Sequence, residues 1–118
     1  MSLESFIAEY EELTQVNPLH HRERVWDYEG RSAVCFELSV FGGAIRLANI
    51  RSIESRKGFG TLALIWLTTL ADKHDVSITG TASPTGAKLM NKTALKKWYE
   101  RHGFLVSRRG ELHYLPNR

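Results

Sequence analysis

The sequence is poor in cysteine and has no long apolar run. Cys35 is the only cysteine in 118 residues, which excludes an internal disulfide and a zinc site built from several thiolates. The densest apolar run, Leu62–Leu67, is far shorter than the about 18 residues of a membrane-spanning helix. The N-terminal residues also lack the basic start and apolar stretch of a secretory signal. These absences predict a protein of the reducing cytoplasm that does not cross a membrane.

Length and composition predict one globular domain over residues 1–118. Hydrophobic residues make up 42% of the chain and charged residues 25%, which is ordinary for a globular protein of this size. No internal repeat, low-complexity tract or linker divides the sequence. The adjacent histidines at 20 and 21 have no ligand partner at a suitable spacing, so we predict no metal site.

The charge is divided unevenly along the chain. The net charge is +3, but residues 1–50 hold four basic and eight acidic residues (net −4), whereas residues 51–118 hold twelve and five (net +7). Such a division favours an anionic partner for the second half, which could be nucleic acid, a phosphorylated cofactor or an acidic protein. The alternative is a solvated basic surface without a partner.

The first half of the chain predicts a helix followed by a β-hairpin. Ser2 is placed to cap a helix whose apolar stripe ends before Asn17-Pro18. Residues 18–31 read as irregular, with a short strand at 24–28. Two β-rich runs at 32–41 and 44–50 are separated only by Gly42-Gly43, which is a strong signal for a two-residue hairpin turn.

The second half predicts alternating helices and strands. A buried helix at 62–75 is followed by a strand at 76–82 and by a second helix, capped by Asn91 or Thr93 and stopped by Gly103. Strands at 104–107 and 111–115 close the chain. This order predicts an α/β domain with a mixed sheet.

The segment from Ser55 to Thr61 has the composition of an anion cradle. It runs from a predicted strand into a helix N-terminus, where backbone N–H groups and the helix dipole attract negative charge. Gly58 and Gly60 allow close approach, and Arg56 and Lys57 add positive charge. The spacing matches neither the Walker loop nor the dinucleotide fingerprint. The alternative is a tight turn that needs glycine for its backbone alone.

The second predicted helix ends in Tyr99-Glu-Arg-His-Gly-Phe104. Trp98, Tyr99 and His102 share a helical stripe that Gly103 terminates. A buried tyrosine hydroxyl can serve as a proton donor. The alternative is an amphipathic helix whose aromatic residues only fill the core.

These two segments together resemble the GNAT superfamily of acyl-CoA N-acyltransferases. That family has a [Gln/Arg]-x-x-Gly-x-[Gly/Ala] loop, matched here by residues 55–60, and many members have Tyr-Glu-Lys-x-Gly-Phe at a helix end, matched by residues 99–104. The resemblance covers about residues 32–115. It implies a GNAT-like mixed, largely antiparallel sheet flanked by helices. In size the chain is similar to compact acetyltransferases encoded by phages of bacteria, some of which modify host defence proteins.

The resemblance also implies a role for individual residues. The backbone at Ile50 would pair with the pantetheine arm of acetyl-CoA, and Asn91 would contact this cofactor although it lies one residue farther from Tyr99 than the family's asparagine. Tyr99 would protonate the departing CoA thiolate. Ser55 stands where the family has glutamine or arginine. The pyrophosphate of acetyl-CoA would be held by the amides of Gly58, Phe59, Gly60 and Thr61 with the side chains of Arg56 and Lys57.

Glu37 is the candidate general base. Counting outward from a two-residue turn sets Glu37 opposite Ala48 and two positions from a pair formed by Cys35 and Ile50, close to where the thioester would lie. The alternative is that Glu37 is an exposed strand residue. Glu54 is a second candidate, placed beside the glycine loop.

The sequence therefore predicts an N-acetyltransferase that moves an acetyl group from acetyl-CoA to an amine by direct attack. The acceptor could be a protein lysine, a protein N-terminus or a small amine, and no metal is required. One alternative is a non-enzymatic basic module that binds nucleic acid or a protein. Another is a GNAT-like fold that binds CoA without turnover.

Overall fold

The computed structural model describes residues 2–53, 58–82 and 91–116 as three helices and seven strands. The first helix begins where Ser2 accepts a hydrogen bond from the Ser5 backbone N–H, and the Ser5 hydroxyl accepts one from Ser2 N–H in return, so the predicted cap is confirmed. The elements are α1 Leu3–Leu13, β1 Thr14–Asn17, β2 His20–Tyr28, β3 Arg31–Phe41, β4 Ala44–Ser52, α2 Phe59–His74, β5 Ile78–Thr81, α3 Lys92–Arg101, β6 Leu105–Val106 and β7 Glu111–Tyr114.

The seven strands form one sheet in the order β1-β2-β3-β4-β5-β7-β6. Neighbouring strands are antiparallel except β4 and β5, which run parallel because α2 connects them. This arrangement confirms the predicted fold class, a mixed and largely antiparallel sheet flanked by helices. No helix in the described ranges is long and apolar enough to cross a membrane.

The hairpin between β3 and β4 forms at Gly42-Gly43 as predicted. Both glycines have positive φ, 60° and 78°, which a primed turn requires. The pairing follows the predicted register from Phe41 and Ala44 to Leu38 and Leu47, and then shifts by one residue, so that Glu37 faces Asn49. The predicted pairing of Glu37 with Ala48 is therefore wrong. A β-bulge at Ala48 inserts one residue into β4, and Cys35 pairs with Arg51 instead of Ile50.

The structure corrects three predicted element boundaries. α1 ends at Leu13, four residues before Asn17-Pro18, because Thr14 leaves the helix and starts β1 against β2. The region expected to be irregular is mostly the nine-residue strand β2. α2 begins at Phe59 rather than at 62, since Gly58 enters the helix directly from a left-handed conformation.

The core lies between the sheet and the helices α1 and α2. Tyr10 of α1 contacts Phe36 of β3 and Trp66 of α2, with ring centroids 6.4 and 6.3 Å apart. Trp66 also lies 5.9 Å from Trp26 of β2. At the end of α2, His74 Nε2 and Lys73 Nζ each lie 2.8 Å from a carboxylate oxygen of Glu9 in α1. Both helices are thus held on the same face of the sheet.

Candidate active site

The strands β4 and β5 separate in the middle of the sheet. They pair only where Ile45–Leu47 meets Ile78–Gly80. Beyond Leu47, β4 continues to Ser52 paired with β3 alone among the described strands. β5 instead ends at Thr81, and Ala82 N–H donates to Gly110 O at 2.7 Å, on the β7 side. The parallel strands therefore open into a cleft at their carboxyl ends, which is where α/β sheets commonly bind ligands.

Gly80 sets the point where the two strands part. A Cβ atom on this residue would lie 2.7 Å from Leu47 O, which is closer than any side chain tolerates. The backbones of β4 and β5 can therefore approach each other only because residue 80 is glycine. The next residue of β4 is Ala48, where the bulge lies. Along β4, the close contact with Gly80 is therefore at Leu47, and the bulge and the separation from β5 follow at Ala48.

The N-terminus of α2 lies at the open end of this cleft. Gly58 is its N-cap, with a φ of 72° and no side-chain hydrogen bond to the first turn. A Cβ atom on Gly58 would meet nothing within 4 Å. The N–H groups of Phe59, Gly60 and Thr61 belong to the first turn, whose amides have no acceptor within the helix. Open space, free amides and the helix dipole are the physical requirements of an anion site.

Helix α3 crosses from the end of β5 to the start of α2. At one end, the Cε of Lys92 lies 3.2 Å from the position of a Cβ on Gly110, next to Ala82. At the other end, Trp98 Nε1 donates a hydrogen bond to Thr61 Oγ1 at 2.9 Å. Gly60 lies beside this bond, and a Cβ there would be 3.1 Å from Ser52 Oγ of β4. The three elements around the cleft are thus in direct contact.

Tyr99 of α3 is buried, with 4% of its surface exposed. Its ring contacts Trp98 and Phe104, with centroids 4.9 and 5.2 Å away. Burial raises the pKa of the Tyr99 hydroxyl to about 12, so the phenol keeps its proton at neutral pH. Its hydroxyl has no hydrogen bond to any residue in the described part of the chain. A neutral, unengaged phenol can donate a proton.

Two further predicted cofactor residues have clear positions. Ile50 is half-buried on the part of β4 that has no β5 neighbour, so its backbone borders the cleft. Asn91 is the N-cap of α3, and its Oδ1 accepts a hydrogen bond from Ala94 N–H at 2.8 Å, which resolves the choice between Asn91 and Thr93 as the cap. Arg56 and Lys57, like Ser55 and Glu54, lie outside the described residues.

Glu37 is half-buried on β3 opposite Asn49. Because the bulge shifts the register, Glu37 pairs with Asn49, on the part of β4 beyond its contact with β5, and not with Ala48. This position keeps Glu37 near the cleft, but no hydrogen bond or ion pair within the described ranges connects it to Tyr99. The structure therefore places Gly60, at the start of α2, against Ser52 of β4, two residues beyond Ile50, and it leaves Glu37 on the adjacent strand.

The sequence analysis missed a charged pair behind the cleft. Glu23 of β2 is 3% exposed and accepts hydrogen bonds from Arg51 Nε at 3.1 Å and Arg51 Nη2 at 2.8 Å. Asn17 Nδ2 donates a third at 3.0 Å. The Arg51 guanidinium holds the pKa of the Glu23 carboxyl below its ordinary value of 4.5. Glu23 lies on β2 and Arg51 on β4, with β3 between them, so no local sequence signal could have revealed the pair.

The paired ends of β4 and β5 also form the floor of an open groove of about 810 Å³. Gly80 and Thr81 lie in it, so it begins where the cleft opens. Glu100 and Glu111 contribute carboxylates to the groove, and Phe41 and Leu105 contribute exposed apolar side chains. Among the described residues, no group of three or more histidine, cysteine, aspartate or glutamate side chains is placed to hold a metal ion.

Comparison with known proteins supports the fold. No protein-family profile and no curated protein matches the sequence. One solved structure that resembles the chain is the crystal structure of the anti-CRISPR protein AcrVA5, with a TM-score of 0.58 and 13% identity over 70% of this chain and 90% of that one. At this identity the likeness shows the fold alone. The chain therefore has the predicted fold class, a mixed and largely antiparallel sheet flanked by helices.

Proposed function

We propose that this protein is an N-acetyltransferase that moves an acetyl group from acetyl-CoA to an amine. The observation that carries the proposal is the meeting of three parts around one cleft. These parts are the uncapped N-terminus of α2, the separated end of β4, and α3 with the buried phenol of Tyr99. The first suits the pyrophosphate, the second an extended amide-bearing arm, and the third a leaving thiolate.

Each part contributes a separate step. The amides of Gly58, Phe59, Gly60 and Thr61 would hold the pyrophosphate oxygens, with Arg56 and Lys57 as the charged side chains of the same segment. The backbone at Ile50 would pair with the amides of the pantetheine arm as an added strand does. Binding in this way fixes the thioester near Leu47 and Gly80, so that the attack on it becomes effectively unimolecular.

The transfer from an ammonium acceptor needs two protons removed from the nitrogen and one supplied to the leaving sulfur. Glu37, directly or through water, takes one proton from the ammonium before the attack and later releases it to solvent. The amine nitrogen forms a bond to the thioester carbon, the second proton on nitrogen is lost to solvent, and the bond between carbon and sulfur breaks as Tyr99 gives its proton to the departing thiolate. Tyr99 then regains a proton from solvent. Because burial keeps the Tyr99 pKa at about 12, the proton donor is present throughout the physiological pH range.

The groove beside the cleft suits a cationic acceptor. Glu100 and Glu111 place two carboxylates there against the one guanidinium of Arg46, while Phe41 and Leu105 are 69% and 63% exposed and offer apolar contacts. This combination fits a lysine side chain of a protein better than a small free amine. The likeness to an anti-CRISPR protein supports testing the protein components of CRISPR systems as acceptors.

Calorimetric titration with acetyl-CoA tests the site, with Gly58→Val and Gly30→Val as a matched pair. Both glycines have positive φ, 72° and 80°, and a Cβ on either would meet nothing within 4 Å. Both substitutions therefore strain the backbone alike, but only the side chain added at position 58 would fill the anion cradle. We expect Gly58→Val to lose most of its acetyl-CoA affinity and Gly30→Val to keep it. Equal affinity in the two folded variants would refute the proposed cofactor site.

Binding and acetylation assays with the wild-type protein distinguish the remaining alternatives. Binding of acetyl-CoA without acetylation of any protein or small amine would identify a GNAT-like fold that binds CoA and lacks turnover. Absence of binding by folded protein would favour the non-enzymatic basic module. Acetylation detected by mass spectrometry of a mixed protein substrate, and lost in Gly58→Val, supports the enzyme.

A further inference from the structure

A basic surface lies on α3 and on the turn between β6 and β7. The two segments are in contact, because Lys96 Nζ donates a hydrogen bond to Arg108 O at 2.8 Å. The Cε atoms of Lys92 and Lys96 also lie within 3.6 Å of the Cβ position of Gly110. We call this surface the basic patch, and its cations are Lys92, Lys96, Lys97, Arg101, Arg108 and Arg109.

The turn that carries two of these cations has a defined backbone. Gly110 N–H donates to Ser107 O and Ser107 N–H donates to Glu111 O, both at 2.9 Å. Ala82 N–H closes on Gly110 O at 2.7 Å. These bonds fix the backbone of Arg108 and Arg109 beside α3, so the fold itself brings the two segments of the patch together.

The charges of the basic patch are not neutralised within the described ranges of the chain. All six residues are exposed except Lys96, which is half-buried. The ion pairs in these ranges involve Arg51, Lys73 and His74, and none joins a patch cation to a carboxylate. Glu100 and Glu111 lie at its border, so the local net charge is six minus two, or +4.

The fold does not need this concentration of positive charge. Leu95 and Tyr99 anchor α3 by burying its opposite face. Like charges on neighbouring turns of a helix and on an adjoining loop repel one another, which opposes folding. The repulsion among the six cations is therefore relieved when an anionic partner binds.

The chemistry of the patch fits phosphates better than an acidic protein. A stable interface with a protein usually has an apolar or aromatic centre. The exposed residues of α3 are instead short or charged, and Trp98 faces α2 rather than solvent. Three of the six cations are arginines, whose planar fork binds phosphate oxygens in pairs.

We propose that the basic patch binds the phosphate backbone of a nucleic acid without reading its bases. A helix of ten residues is about 15 Å long, which spans about four phosphates of one strand at 3.4 Å each. Single-stranded RNA and duplex DNA share this chemistry, and the assay below distinguishes them. The inference is independent of acetyl transfer, since none of the six cations belongs to the proposed acetyl-CoA site.

Fluorescence anisotropy with a labelled single-stranded RNA and a labelled DNA duplex tests the proposal. With about four phosphate contacts, log K should fall against log salt concentration with a slope of about −3 to −4, the duplex giving the steeper value. The double variant Lys97→Gln with Arg101→Gln removes two patch cations. We expect at least about a tenfold loss of affinity at low salt and a slope shallower by about two.

The matched control is Arg22→Gln with Arg31→Gln, which removes two exposed cations outside the patch and outside the groove and gives the same net charge. We expect this variant to bind within about twofold of the wild type, because local phosphate contacts dominate affinity. Equal losses in the two double variants, no binding at low salt, or a flat salt response would each overturn the proposal. Excess acetyl-CoA should leave binding unchanged. Displacement by acetyl-CoA would place the nucleic acid in the cofactor cleft and also refute it.

Discussion

Trp98 Nε1 donates a hydrogen bond to Thr61 Oγ1 at 2.9 Å, and this bond joins α3 to the first turn of α2. Thr61 belongs to the helix start that we assign to the pyrophosphate, and Trp98 precedes the proposed proton donor by one residue. The bond therefore fixes the distance between the proposed pyrophosphate site and the proposed proton donor. Gly60 supports it, because a larger residue there would press on Ser52 of β4.

A double-mutant cycle should measure this bond. Thr61→Val removes the acceptor and Trp98→Phe removes the donor. We expect each to lower the free energy of unfolding, with a coupling of about 0.5–1.5 kcal/mol between them. Urea unfolding of the four proteins gives the coupling. Additive effects would show that the two residues act separately, and would remove the argument that this contact aligns the cleft.

Gly80→Ala tests whether close approach of β4 and β5 sets the cleft. The new Cβ would lie 2.7 Å from Leu47 O, which is a backbone atom and cannot rotate away. Forcing the strands apart should cost about 1–3 kcal/mol of unfolding free energy. Urea denaturation measures the loss. A variant as stable as wild type would contradict the strand contact.

Local sequence signals gave correct predictions of the helix caps and the hairpin. Ser2, Asn91 and Gly42-Gly43 act through hydrogen bonds and backbone angles within a few residues, so their effects can be read without a tertiary structure. The glycine that precedes α2 also acts through its own backbone angles. Gly58 has the left-handed conformation that lets α2 start at once.

Features that depend on contacts between distant segments could not be predicted in this way. The bulge at Ala48 lies where β4 leaves β5 and stays paired with β3, and it moved the partner of Glu37 by one residue. Residues 14–17, which were predicted to end the first helix, form β1 because β2 lies beside them. The pairing of Glu23 with Arg51 joins residues 28 positions apart, and neither residue stands out in its own segment.

Tyr99→Phe tests the proposed proton donor. The substitution keeps the buried ring and its contacts with Trp98 and Phe104 and removes only the hydroxyl. We expect kcat to fall about 10²- to 10⁴-fold while the calorimetric affinity for acetyl-CoA stays unchanged. Tyr114→Phe is the matched control, because that hydroxyl donates to Asp72 Oδ1 at 2.8 Å, in α2. It should lower stability and leave kcat unchanged. A normal kcat in Tyr99→Phe would exclude Tyr99 as the acid.

The pair formed by Glu23 and Arg51 should make stability depend on pH in the acid range. Arg51 holds the folded-state pKa of Glu23 below 4.5, its value in the unfolded chain, so the stabilisation is complete above that pH. It is lost as pH falls from about 4.5 through the lower folded-state pKa, because in this range the unfolded chain binds the proton more readily than the folded protein does.

Glu23→Gln removes the charge, and the side-chain oxygen of glutamine can still accept two of the three hydrogen bonds that Glu23 accepts. We expect a loss of about 1–2 kcal/mol at neutral pH, reduced from a fully buried pair because the Arg51 side chain is 45% exposed. Urea unfolding at a series of pH values should show the difference from wild type shrinking below about pH 4.5. Glu12→Gln, an exposed carboxylate on α1, serves as the control and should follow wild type. A difference for Glu23→Gln that stays constant from neutral to acid pH would mean that packing, not the ion pair, carries the contribution of Glu23.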